Sequence, residues 1–125
     1  DLLGQVETVQ QAARRNLRPG TRGGDIFEDA NDALAKCSVS NKMFFSAHGM
    51  GIVSHEAPWL MSTAVPNYPA HHRDQPLQEG MVISIETELH HTERGFIKLE
   101  DTVAITANGC EGFGDHGRGW NIAGR

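Results

Sequence analysis

Two acidic residues in the second half of the chain have the type and spacing to hold a cation. Glu86 lies in a segment, residues 81–89, in which apolar and polar residues alternate, and Glu100 lies in a similar segment, residues 96–105. Strands joined by a short loop usually pair antiparallel, so we expect the two carboxylates to face each other across a sheet. Two ionised carboxylates at such a short separation repel each other, and a cation between them removes the repulsion.

A second interpretation of the same strands needs no metal. Glu86, Glu88, Lys98 and Glu100 also fit a solvated strand face on which opposite charges pair between neighbouring strands. Lys98, two residues before Glu100, supplies a ready salt bridge. On the alternation alone, this polar-face interpretation is favoured.

Two histidines upstream add imidazole groups to the pattern. His48 lies in His-Gly-Met-Gly, and His55 follows seven residues later in His-Glu-Ala-Pro. Because seven is odd, a regular strand would direct the two imidazoles to opposite faces, and Gly49 and Gly51 can supply the bulge that re-aims one of them. Imidazole and carboxylate ligands together suit Mn, Fe, Co or Zn. With the histidines included, a metal site fits the pattern as well as a polar strand face does.

Three segments, in order, resemble the signature of a known enzyme family. Residues 47–58, AHGMGIVSHEAP, resemble the HGxG…HExP motif of methionine aminopeptidases and Xaa-Pro dipeptidases. Residues 80–86, GMVISIE, resemble their GMVxxIEP segment, and residues 95–103, GFIKLEDTV, resemble their GxRxEDxV segment. The similarity extends over nearly the whole chain and is greatest to the Xaa-Pro dipeptidase and creatinase-like branch. It implies a pita-bread metallohydrolase.

The resemblance also implies a role for each matching residue. His48, Glu86 and Glu100 match three ligands of a dinuclear site for divalent ions such as Mn, Co, Zn or Fe. His55 matches the histidine that hydrogen-bonds the substrate carbonyl and the tetrahedral intermediate. Glu86 further matches the carboxylate that handles the proton of the attacking water. The implied substrate is a peptide or a small amide.

Departures from the family pattern leave the substrate open. Thr87 stands where the family usually has proline, and Lys98 stands where prolidases usually have an arginine that holds a substrate carboxylate. Lysine keeps the charge but loses the bidentate fork. Trp59 is expected either to line the substrate pocket or to anchor its loop. Beside an Xaa-Pro dipeptidase-like enzyme, the alternatives are a creatinase-like hydrolase of C–N bonds and a non-catalytic pita-bread binding module.

Two further ligands of the family, a pair of aspartates, lie on a strand before the position at which this chain begins. The aspartates in the first helical region have no matching context, and Asp25 is better explained as a helix cap. The resemblance therefore implies that residues 1–125 form a single partial domain, the C-terminal part of a pita-bread catalytic domain. We expect the isolated chain to bind metal weakly or not at all and to be inactive.

The elements that position these residues indicate an α+β fold. Apolar residues at helical spacing predict one helix over residues 2–17 and a second that begins with Asp25 as cap and Glu28 as its capping-box partner. Alternation predicts strands over residues 44–53, 81–89 and 96–105. Three prolines predict a surface loop over residues 59–76, and the glycine-rich tail from residue 112 is expected to be irregular. Two helices thus pack on an antiparallel sheet.

Composition disfavours several other classes of protein. The net charge of -5 argues against a nucleic-acid surface. No apolar run approaches the ~20 residues of a membrane span. Cys37 and Cys110 lack metal-site spacing and fit a reducing cytoplasm. An apolar sheet edge or face left uncovered in a partial domain favours a homodimer.

Overall fold

Two helices and one sheet make up the computed structural model, which describes residues 1–63, 68–114 and 123–124. The helices are α1 (Leu2–Arg15) and α2 (Gly23–Leu34), and a short 3-10 turn, Ser40–Lys42, follows them. The strands are β1 (Met43–Gly49), β2 (Glu56–Ser62), β3 (Val82–His91), β4 (Gly95–Thr106) and β5 (Gly109–Phe113). Their order in the sheet is β2-β1-β3-β4-β5, and all neighbours are antiparallel. The predicted α+β architecture is confirmed.

The core lies between α1 and one face of the sheet. Asp1 begins α1 as its cap, since its carboxylate accepts a hydrogen bond from the Gly4 amide at 2.6 Å. The helix then packs on β3 and β4, and the buried side chains of this layer include Val6, Val9, Ala13, Leu17, Ile83, Ile85, Leu89 and Val103. Full burial of each large aliphatic side chain contributes about 1.5–3 kcal/mol. This layer fixes α1 against the strands that carry the two glutamates.

The second helix begins earlier than predicted. Its first residue is Gly23, so Asp25 lies inside the first turn rather than at the cap, and the predicted box with Glu28 is wrong. The Asp25 carboxylate instead accepts a hydrogen bond from the Arg22 amide at 2.8 Å. A carboxylate in the first turn stabilises a helix from either position, which is why the sequence suggested a cap.

Two strands correct the predicted loops. β2 occupies the start of the predicted loop over residues 59–76, and its residues Leu60 and Met61 are buried. All three prolines of that loop follow the strand, and residues 64–67 lie outside the described part of the chain. β5 includes residues 112 and 113 of the predicted irregular tail because they pair with β4. The remainder of that prediction mostly concerns residues 115–122 and 125, which are also outside the described ranges.

Within the described residues, neither helix has the length and apolarity needed to cross a membrane.

Candidate metal centre

The sheet brings the two predicted carboxylates opposite each other. Glu86 on β3 pairs in register with Glu100 on β4. Because neighbouring residues of a strand point to opposite faces, both carboxylates lie on the face opposite to Ile85, which packs beneath α1. β1, the neighbour of β3 on its other side, carries His48 to the same face.

His48 contacts Glu86 directly, with 3.0 Å between Nε2 and Oε1. The second ring nitrogen, Nδ1, lies 2.9 Å from the carbonyl oxygen of Gly49. A carbonyl can only accept, so Nδ1 carries a proton, and Nε2 of a neutral ring then presents a lone pair to a carboxylate. Both imidazole nitrogens therefore face acceptors, and either a second proton or a metal cation must lie between Nε2 and Glu86.

The hydrogen bond between His48 and Glu86 shifts the pKa of both groups. Burial lowers the pKa of His48, but the hydrogen bond to Glu86 and that to the Gly49 carbonyl outweigh it, and the pKa is raised. Burial raises the pKa of Glu86, yet the hydrogen bonds from His48 and Lys98 prevail and lower it to about 2. The Glu86 carboxylate is thus held ionised at the centre of the site.

His55 lies over His48. Their ring centroids are 4.3 Å apart with an interplanar angle of 26°. The ligand atoms of His48, His55 and Glu86 all lie within 4.8 Å of one another. Side-chain donors of this type at this separation fit a transition-metal ion.

The two histidines meet because the chain reverses between them. The predicted strand over residues 44–53 ends earlier, at Gly49, and His55 directly precedes β2. The pairing of β1 with β2 is irregular on both sides of His48. A Cβ at Gly49 would collide with the carbonyl group of Ala57, so only glycine lets the strands approach there. The predicted glycine bulge exists, but a hairpin rather than one bent strand brings the imidazoles together.

The Lys98 ammonium contacts three glutamates. Its Nζ lies 2.8 Å from Glu86 Oε2, 3.2 Å from Glu100 Oε2 and 3.9 Å from Glu88 Oε1. The other oxygen of Glu100 accepts a hydrogen bond from the Ser84 hydroxyl at 3.0 Å. Burial lowers the pKa of Lys98, but the hydrogen bonds to Glu86 and Glu100 outweigh it and raise the pKa. Glu100 is therefore linked to Glu86 through an ammonium group, which is the salt bridge of the polar-face interpretation.

Trp59 forms a wall beside the histidines. Its ring centroid is 6.2 Å from that of His48 and 5.2 Å from that of Tyr68. Trp59, Tyr68, Pro69 and His71 line a cavity of 220 Å³. The Trp59 amide also donates to Nδ1 of His72 at 3.0 Å, which ties the following loop to β2. Both predicted alternatives for Trp59, pocket lining and loop anchoring, fit these contacts.

The sequence reasoning missed three polar residues of this region. Ser84 shares the face of Glu86 by simple alternation, and that parity was the available signal. Tyr68 is the one tyrosine of the chain, in a segment interpreted as loop. Gln10 is buried beneath the sheet, and its signal was a polar residue within the apolar stripe of α1.

Comparisons with known proteins identify the family and the fold of this chain. The model of metallopeptidase family M24 matches residues 1–107. The putative dipeptidase YkvY of Bacillus subtilis (strain 168) is 36% identical over 110 residues, which span 83% of this chain and 27% of the relative. Dipeptidase PepE from Mycobacterium ulcerans superposes with a TM-score of 0.71 at 28% identity, over 88% of this chain and 28% of that chain.

The prolidase from Pyrococcus furiosus has the same TM-score, 0.71, at 27% identity, over 88% of this chain and 30% of that one. The predicted partial pita-bread fold is confirmed by these superpositions. The chain spans under a third of the length of these three proteins. Because the family model matches most of the chain, the chain belongs to metallopeptidase family M24.

Proposed function

We propose that this chain contributes part of the active site of a metal-dependent dipeptidase of the Xaa-Pro dipeptidase type. In this proposal residues 1–125 are the C-terminal part of one longer pita-bread domain, and two aspartates from preceding sequence complete the metal site. The observation that carries the proposal is the environment of His48. Both of its ring nitrogens face acceptors, the Gly49 carbonyl at 2.9 Å and the Glu86 carboxylate at 3.0 Å.

The donor set fits a pair of divalent ions such as Mn, Co, Zn or Fe. His48, Glu86 and Glu100 would hold them, since imidazole and carboxylate groups are ligands these ions share. Bound there, the ions would polarise a substrate carbonyl and lower the pKa of water. The His48 Nδ1–H bond to the Gly49 carbonyl fixes the ring so that Nε2 is directed into the site.

The chain's own residues would then orient and protonate the substrate. His55 is exposed and stacked on His48, so its imidazole can hydrogen-bond a carbonyl oxygen placed beside Glu86. The Glu86 carboxylate would accept the proton of the attacking water and pass it to the leaving amine. Trp59 would contact the apolar part of a dipeptide. Lys98, on β4 and separated from His48 on β1 by β3, would pair with the substrate carboxylate.

Hydrolysis assays test this function in the full-length protein that contains the chain. We expect Mn²⁺ or Co²⁺ to support cleavage of Xaa-Pro dipeptides and removal of metal to abolish it. Dipeptides without proline and small C–N substrates of the creatine type serve as comparison substrates. Cleavage of only the small C–N substrates would favour the creatinase-like alternative. No turnover of any of the three classes by metal-loaded protein would contradict an enzymatic role.

Two properties of the working protein, its assembly and its location, stay predictions. Among the residues that the structure describes, four large apolar side chains are exposed, Ile52, Val53, Phe96 and Phe113, and such groups are typical of contact surfaces when they cluster. We expect a homodimer, which light scattering of the full-length protein measures. The unpaired thiols of Cys37 and Cys110 fit a reducing cytoplasm.

A further inference from the structure

Behind the candidate metal centre, on the face covered by α1, Gln10 is completely buried. Its Nε2 donates to the Ile85 carbonyl at 2.7 Å and to Oδ2 of Asp101 at 3.1 Å. Its Oε1 accepts a hydrogen bond from the Thr87 hydroxyl at 2.7 Å. A single side chain of α1 therefore contacts β3 twice and β4 once.

These hydrogen bonds use both N–H groups of the carboxamide and one lone pair of its oxygen. Thr87 is also fully buried, and Asp101 is 8% exposed. In such a dry environment a polar group without a partner is costly, so the three hydrogen bonds hold the carboxamide in one orientation. Arg14, one turn further along α1, lies 3.8 Å from Asp101 and adds a positive charge on the same side.

The contacts of Gln10 lie next to both glutamates of the site. Ile85 and Thr87 flank Glu86, and Asp101 follows Glu100. Because alternate residues leave a strand on opposite faces, holding the residues on either side of Glu86 from behind fixes the direction of its carboxylate in front. We propose that Gln10 is a positioning residue that sets the separation and orientation of Glu86 and Glu100. This inference rests on the proposed function.

Packing alone gives no reason for a glutamine at this position. Its neighbours in the stripe of α1, Val6, Val9 and Ala13, are all buried and apolar. A leucine or methionine would fill a similar volume without the desolvation of an amide. Thr87 strengthens the inference, because it is also fully buried and its hydroxyl donates to Gln10, so helix and strand each place a polar side chain at this contact.

The test compares Gln10→Met with Gln11→Met in the full-length protein. Gln11 is the adjacent residue, and its Nε2 donates only within α1, to Glu7 at 2.7 Å. Calorimetric titration with Co²⁺ measures metal affinity, and steady-state assays separate kcat from KM. We expect Gln10→Met to weaken Co²⁺ binding by about tenfold, as loss of a residue that orients metal ligands does. Its kcat should fall with KM unchanged, while Gln11→Met behaves like the wild type.

A second variant covers the case in which Gln10→Met does not fold. Thr87→Val keeps the volume, removes one of the three hydrogen bonds, and should weaken Co²⁺ binding in the same direction by a smaller factor. A folded Gln10→Met or Thr87→Val protein with wild-type Co²⁺ affinity overturns the inference, even if its unfolding temperature falls, because that pattern is purely structural. A wild-type protein that binds no Co²⁺ instead overturns the proposed function, and this inference with it.

Discussion

The strands β3 and β4 carry acidic side chains on both faces, and the groups that contact these carboxylates differ between the two faces. On the metal-site face, which holds His48, Glu86, Lys98 and Glu100, the partners of the carboxylates are cationic or protonated groups. On the helix-side face, which holds Gln10, Thr87 and Asp101, the Asp101 carboxylate accepts a hydrogen bond from the neutral Gln10 amide at 3.1 Å, and the Arg14 guanidinium lies further away, at 3.8 Å.

The difference separates a replaceable cation from a fixed scaffold. A divalent ion can take the place of the Lys98 ammonium or the His48 proton beside the glutamates, since each of these groups balances the charge of the carboxylates. The Gln10 hydrogen bonds are directional and shielded from water, so nothing in solution replaces them. Substitutions on the metal-site face should therefore change metal binding and catalysis, and those on the helix-side face should also change stability.

The largest expected effect is that of Glu86→Gln. The substitution removes the charge that contacts His48 and the group that accepts the proton, so kcat/KM should fall by about 10²–10⁴-fold. Glu88→Gln is the matched control, because Glu88 lies on the same face and its nearest approach to Lys98 is 3.9 Å. Steady-state kinetics of the metal-loaded full-length protein measure both. Equal losses in the two variants would mean that the face acts only through its total charge.

His55→Ala should distinguish a ligand from a hydrogen-bond donor. His55 is exposed, while His48 is buried and directly paired with Glu86. We expect kcat to fall by about 10²–10³-fold, as when one donor to a developing oxyanion is lost, and Co²⁺ affinity to stay the same. Calorimetry on the variant decides. A large loss of Co²⁺ affinity would assign His55 to the metal.

On the helix-side face, Gln10→Leu should destabilise the chain. It removes the hydrogen bonds of Gln10 with Asp101, Thr87 and the Ile85 carbonyl, and a buried polar group left unsatisfied costs about 1–3 kcal/mol. Asp101 keeps its contact with Arg14. Urea unfolding of the full-length protein measures the change, with Gln11→Leu expected within about 0.5 kcal/mol of the wild type. Similar stabilities for the two variants would show that water replaces the Gln10 contacts.

The smallest expected effect is that of Lys98→Met. Removing the ammonium frees Glu86 and Glu100 to bind a metal ion. Because partly exposed ion pairs contribute about 0.2–1 kcal/mol, Co²⁺ affinity should rise by no more than about fivefold. The KM for dipeptides should rise as well if Lys98 holds the substrate carboxylate. Lys98→Arg, which keeps the charge, should show neither change. Weaker Co²⁺ binding by Lys98→Met would contradict the prediction that the ammonium competes with a metal ion for Glu86 and Glu100.

The two faces also differ in how well the sequence predicted them. Strand alternation is a local pattern, and it correctly predicted that Glu86 lies opposite Glu100 on the metal-site face. The histidine motif with its glycines predicted that the two imidazoles converge. It did not predict that a hairpin brings them together. These features depend on spacing within short segments, which the sequence displays directly.

The features that were missed depend on contacts between distant segments. Gln10 bonds to the Ile85 carbonyl 75 residues away, and no local pattern encodes that pairing. The strand β2 was not predicted because its residues 58–61, Pro-Trp-Leu-Met, do not alternate between apolar and polar and because three prolines follow it. Its strand geometry is imposed by pairing with β1, so tertiary structure overrides a weak local preference there.

Calorimetric titration of the full-length protein with Co²⁺ tests the central claim most directly, with wild type, His48→Ala and His90→Ala compared. His90 is a histidine of β3 whose side chain is 57% exposed and away from His48. We predict binding of two ions to the wild type and to His90→Ala, and a loss of at least about tenfold in affinity for His48→Ala. Equal Co²⁺ affinities for all three proteins, or no binding to any, would contradict the assignment of His48 and Glu86 as the metal centre.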